Sequence, residues 1–146
     1  MCAKKRKMIS ATQQNYINMS LELAAKSTYR FRLGAVITAG GRVKGTGFSK
    51  YRNTPSNMAE AHVKQCSEHA ELAALRECLN GNFFNKSPLK RATIFVGRLD
   101  KANKPALAKP CYRCTKVLLD HGISKFIWSI DQERCGISKI ETLMIY

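Results

Sequence analysis

Along residues 11–27, ATQQNYINMSLELAAKS, the apolar positions Ile17, Leu21 and Ala24 recur at helical spacing among good helix formers, which predicts a first helix. The pattern then changes. LGAVIT, a Gly-Gly pair and VKGTGFS read as strand, turn and strand, so residues 33–49 are expected to form a hairpin, followed by a loop through Asn53, Thr54, Pro55, Ser56 and Asn57. Over 67–80, Ala70, Leu72, Ala73, Ala74, Leu75 and Leu79 predict a helix buried on a wide face and ended by Asn80-Gly81. ATIFVG at 92–97 reads as a buried strand and KANKPALAKP at 101–110 as a loop. Cys114, Val117, Leu118 and His121 then repeat at i, i+3, i+4 and i+7, Gly122 closes that helix, and KFIWSI at 125–130 is the next strand.

Strand, helix and strand in that order make a βαβ unit with its two strands parallel, so the chain is α/β. The tail CGISKIETLMIY fits either a fifth strand or a short helix. With no internal repeat and no linker, residues 1–146 are expected to be one domain preceded by a basic arm at 1–10.

Two short stretches carry candidate chemistry: His69-Ala70-Glu71 and Pro110-Cys111-Tyr112-Arg113-Cys114. Residues two apart on a helix are rotated by about 200°, so His69 and Glu71 reach one point only at a helix start, where first-turn side chains fan around the end. Ser67, a good N-cap type, suggests that start. Pro110 suits a first helical turn, and Cys111 and Cys114 at i, i+3 project on one side. Two helix starts then face one ion, and their partial positive charge favours thiolates. One imidazole and two thiolates leave the fourth position of a tetrahedral Zn²⁺ open, the form of a catalytic site. The competing reading adds Cys66 as a fourth ligand and closes a structural, inert site; zinc retention in Cys66→Ser separates the two.

His-x-Glu followed by Pro-Cys-x-x-Cys resembles the signature of the cytidine and deoxycytidylate deaminase superfamily, and the resemblance covers roughly residues 33–130. It implies a three-layer fold with a mixed central sheet of about five strands flanked by helices. KANKPALAKPCYRC and HGISKFIWS look most like small phage-type and deoxycytidylate deaminase-like proteins. Carried over by position, His69, Cys111 and Cys114 bind zinc and Glu71 is the proton carrier. Zinc lowers the pKa of its water to about 7, and Glu71 moves that proton to the ring nitrogen and assists departure of ammonia. The family often has Asn in a G-x-N stretch after the second strand, where this chain has Gly47-Phe48-Ser49. Ser49 and the motif residues Ala70 and Pro110 are candidate substrate contacts. Phe48, Tyr51 and Tyr112 are candidate platforms for a base.

Charge adds a partner class. Lys and Arg number 25 against 10 Asp and Glu, a formal +15, which favours phosphate-bearing partners. Lys50, Arg52, Lys109 and Arg113 flank the expected pocket and are candidate phosphate contacts. The implied reaction is conversion of a cytosine-type base to uracil on a free nucleoside or nucleotide. One alternative moves the same chemistry, on cytosine or adenine, to single-stranded DNA or RNA, and another is a non-catalytic, zinc-stabilised nucleic-acid-binding module. No apolar run is long enough for a membrane span and no signal-peptide pattern follows Lys7, so the expected location is the cytoplasm, with a homo-oligomer as a candidate state. Cys2, Cys78 and Cys135 read as unliganded thiols, and Trp128 as a core residue.

Overall fold

The computed structural model describes residues 9–51, 67–81 and 89–143. Helix α1 (Ala11–Ala25) is opened by a capping box: Ser10 Oγ accepts from Gln13 N at 3.1 Å, and Ser10 N donates to Gln13 Oε1 at 2.9 Å. Its buried residues, Ile17, Ser20 and Ala24, lie on one stripe. Strands β1 (Arg32–Ala39) and β2 (Arg42–Phe48) form the expected hairpin, and Gly40 and Gly41 supply the two positive φ values, 60° and 77°, that its tight turn requires.

Two short strands follow, β3 (Lys50–Tyr51) and β4 (Ser67–Glu68), paired with each other. Then come α2 (Ala70–Gly81), β5 (Thr93–Leu99), β6 (Pro105–Ala106), α3 (Tyr112–Asp120), β7 (Lys125–Ser129), β8 (Cys135–Lys139) and α4 (Ile140–Leu143). The main sheet runs β2-β1-β5-β7-β8, with β6 added beside β5. Strands β5 and β7 are parallel, as the βαβ reading requires, and the other pairings are antiparallel, so the sheet is mixed.

Alternation along β1 builds the layers. Ala35 and Ile37 join Ile94, Val96, Phe126 and Leu118 in the core beneath α2 and α3, whereas Val36 joins Ile17, Phe95 and Ile127 beneath α1. Helix α2 lies directly on β2: a Cβ at Gly47 would stand 2.6 Å from both Ala73 Cβ and Ala74 N. That close approach fixes the start of α2 relative to the sheet.

Three expectations need correction. Helix α2 begins at Ala70 rather than near Ser67, because Ser67 and Glu68 are extended to pair with Tyr51 and Lys50. The stretch 101–110 is not all loop, since Pro105 and Ala106 pair with Leu99 and Arg98. Pro110 precedes α3 rather than entering its first turn, because Cys111 (φ −88°, ψ 128°) is the extended N-cap. The tail forms both candidates, a strand and then a short helix. Trp128 packs edge-on to Phe126 at 5.9 Å, as a core residue does. Among the described residues no helix is long and apolar enough to cross a membrane.

Candidate active site

Both candidate ligand stretches sit at helix starts. The His69 carbonyl accepts the first α2 bond, from Ala73 N at 3.0 Å, and the Cys111 carbonyl accepts from Thr115 N at 2.8 Å and from Thr115 Oγ1 at 2.7 Å. His69 and Cys111 therefore occupy the N-cap positions that Ser, Thr or Asp would ordinarily fill, and the Cys111 side chain makes no capping hydrogen bond. These side chains are left for something other than the helix. Unpaired N–H groups and the positive ends of α2 and α3 face the same region.

His69, Cys111 and Cys114 converge there, with all three donor atoms within 4.8 Å of one another and His69 Nδ1 3.2 Å from Cys114 Sγ. A zinc ion about 2.0–2.3 Å from each nitrogen or sulfur needs donors about 3.5–4 Å apart in a tetrahedron, a range those two distances bracket. The donor set is graded from exposed His69 through half-buried Cys111 to buried Cys114. Burial, then the neighbouring charges of Glu71 and Cys111, push the Cys114 thiol far up against the counter-pull of Arg113. A bound cation is what reverses that bias, so the residues fit zinc.

Beside the trio lies a cavity of about 330 Å³. Its floor includes His69, Ala70, Glu71 and Cys111, and its walls add Tyr29, Phe31, Leu33, Ser49, Glu68 and Lys109. Glu71 is 3% exposed. Desolvation raises its pKa, while a hydrogen bond from its own backbone and the nearby His69 pull the other way. The carboxyl thus holds a proton to higher pH than a free glutamate does.

Ser49 lines the cavity, but its hydroxyl is engaged by the backbone: it accepts from Leu33 N at 3.0 Å, donates to the Phe31 carbonyl at 2.6 Å, and lies 3.0 Å from Ser27 Oγ. Lys109 also reaches the cavity. Phe48 and Lys50 instead line a separate cavity with Arg76 and Glu77, and the Lys50 ammonium stands 5.8 Å over the Phe48 ring. Tyr51 and Tyr112 are more than half exposed and are not among the cavity walls; neither are Pro110 and the exposed Arg113. Arg52 and Cys66 lie outside the described residues.

Sequence reasoning missed Tyr29, Phe31 and Glu68. Tyr29 stacks edge-on with Phe31 and Tyr51, at 6.1 and 4.8 Å. The signal was present: two aromatics in the otherwise polar stretch STYRFR, where nothing in a helix or strand pattern demands them. Glu68, its side chain 10% exposed, is held by Lys50 at 3.6 Å and by Arg76. Its adjacency to His69 was the available clue. The cysteines Cys78 and Cys135 are buried and free, as expected.

Fold and site together define a class: an α/β protein with a His-Cys-Cys centre at two helix starts and a buried carboxylate beside it. The chain belongs to the family described as the cytidine and deoxycytidylate deaminase zinc-binding region, which matches residues 10–130. Solved structures agree on the fold. The cytidine deaminase of Burkholderia pseudomallei is 16% identical, with a TM-score of 0.66 over 92% of this chain and 96% of its own. That of Mycobacterium leprae is 17% identical, with a TM-score of 0.61 over 94% and 100%. The dCMP deaminase of cyanophage S-TIM5 is 18% identical, with a TM-score of 0.58 over 82% and 84%. No curated protein sequence matches the chain.

Proposed function

We propose that the protein is a zinc-dependent hydrolytic deaminase that converts a cytosine-type base, carried by a free nucleoside or nucleotide, to uracil with release of ammonia. The observation that carries this reading is the convergence of His69, Cys111 and Cys114 within 4.8 Å at the edge of a cavity that Glu71 also lines. The fold's likeness to a cyanophage dCMP deaminase solved in complex with dCMP and dUMP supports a nucleotide as substrate.

His69 and the two cysteines hold the metal, and zinc, when bound, supplies a water nucleophile that loses its proton near neutral pH. Glu71 does the proton work. It takes the proton released as water attacks the amine-bearing ring carbon and passes it to the ring nitrogen, then relays the proton of the new hydroxyl on that carbon to the amine as the C–N bond breaks and the carbonyl forms, so water and cytosine become uracil and ammonia. The cavity walls Tyr29, Phe31 and Leu33 exclude water from a planar ring, and aromatic faces there suit stacking.

Product mass after incubating the zinc-loaded protein with deoxycytidine, its monophosphate, cytosine-containing single strands and the adenine equivalents tests the reading. Conversion of the monomers, absent in Glu71→Ala, is the expected result. Conversion of strands alone transfers the substrate to nucleic acid, and no conversion of any substrate removes the enzyme reading.

A further inference from the structure

A second cavity, of about 740 Å³, adjoins the first across Tyr29 and Phe31, which line both. Arg30, Arg32, Arg98 and Lys101 bring positive charge to it, with Asp100 the acidic residue among its walls. Two of these groups are already committed. Arg32 donates to the Asp100 carbonyl at 2.7 Å and to Asn103 Oδ1 at 2.5 Å. The Asp100 carboxylate accepts from Ala102 N at 2.8 Å and Lys104 N at 3.0 Å, spending itself on its own turn.

Arg98 is different. Its Nε is buried and has no hydrogen-bond partner among the described residues, and its Nη1 reaches the Leu107 carbonyl at a long 3.4 Å. A buried guanidinium donor left open is costly and calls for an acceptor. The guanidinium carbon stands 5.6 Å from the Phe31 ring centroid, and that of Arg30 stands 6.0 Å from the same ring. Arg98 also sits opposite Leu33 in the β1–β5 ladder, and Leu33 lines the first cavity. A ligand leaving the first cavity over Phe31 therefore meets Arg98 one strand away.

We infer that Arg98, with Arg30 and the Phe31 ring, forms a phosphate subsite that receives the phosphate ester of a nucleotide whose base occupies the first cavity. A guanidinium fork matches two phosphate oxygens, which supplies the acceptor that Nε lacks. Lys50 is a poorer candidate because it is paired with Glu68. The inference rests on the proposed reading in one respect, that the first cavity takes a base.

The test is binding of reaction products, which needs no turnover. Deoxyuridine, its 5′-monophosphate and a deoxyuridine-containing dinucleotide are titrated into the zinc-loaded protein by calorimetry. The phosphate-bearing ligands are expected to bind about tenfold more tightly than deoxyuridine, the scale of one charge-assisted hydrogen bond. Arg98→Gln should erase most of that ratio, Arg98→Lys should keep part of it, and Arg30→Gln, at an exposed position, should give a smaller loss. An advantage for the monophosphate identifies a free nucleotide as the source of the phosphate; an advantage for the dinucleotide alone identifies a strand. A ratio near one for both, or a ratio that Arg98→Gln leaves intact, overturns the subsite. Inorganic phosphate separates the two readings: a shift of the Arg98 Nε–H resonance on its addition supports the subsite even where deoxyuridine fails to bind and the base reading falls.

Discussion

His69 Nδ1 lies 3.2 Å from Cys114 Sγ although 45 residues separate them. The meeting depends on where two helices start, because His69 caps α2 and Cys114 lies in the first turn of α3. A site built this way inherits its rigidity from helix–sheet packing rather than from loops.

Metal content follows. The purified protein is expected to hold one zinc per chain, lost in His69→Ala, Cys111→Ala and Cys114→Ala and retained in Cys66→Ser. Because both thiols must give up protons, and burial holds Cys114 protonated, zinc affinity should fall as pH falls. Atomic emission after dialysis at two pH values reads this. Loss of zinc in Cys66→Ser would mean a closed four-ligand site.

Glu71→Gln should keep zinc and lower turnover by about 10²–10⁴. It should also stabilise the metal-free protein at neutral pH. The folded pKa of Glu71 is raised above its ordinary 4.5, so its favourable contribution is present below that value and lost as pH rises through the folded one. Urea midpoints of the two metal-free proteins should coincide below the ordinary glutamate pKa and separate in favour of the variant as pH rises through the raised folded one.

Gly47→Ala probes the helix–sheet contact beneath the site. The added methyl would meet Ala73 Cβ and Ala74 N at 2.6 Å and the Ala70 carbonyl at 2.9 Å, so α2 must move outward. The expected cost is about 1–3 kcal/mol by denaturant titration. Weaker zinc binding should accompany it, since His69 and Glu71 travel with that helix.

Ser49→Ala separates a structural hydroxyl from a substrate contact. Removing it leaves the Leu33 N–H without its 3.0 Å acceptor, a loss of about 1–3 kcal/mol. Should stability hold while KM for the substrate rises, the hydroxyl serves the ligand rather than the backbone.

Alkaline pH acts on the core. Burial first, then the Glu77 charge, raise the Cys78 thiol to about 11 from 9.0, so the stability tied to its neutral form is complete below 9.0 and lost as pH climbs through about 11. Cys78→Ala should flatten that part of the decline in urea midpoint.

Element order was legible because each segment carries a local signal: Ile17 and Ala24 on a helical stripe, LGAVIT as a short apolar run, Gly40-Gly41 between two strands. The four candidate residues were legible for a related reason: Cys111 and Cys114 at i, i+3 share one side of a helix, His69 and Glu71 reach one point only at a helix start, and together they match a known motif. These are local facts, decided within a turn or two of chain. Pairing across the chain decided the rest. Ser67 is a sound cap by composition, yet Ser67 and Glu68 extend to pair with β3, and α2 begins later. The walls of the cavity follow the same logic: Phe48 lines a neighbouring cavity, while Tyr29 and Phe31, on a stretch with no period of its own, are brought to one cavity with His69 and Cys111 by the entry of the chain into β1. A period records which side of an element is buried. Which residues of distant elements share a cavity depends on register and close approach, and those exist only once the sheet and helices have met.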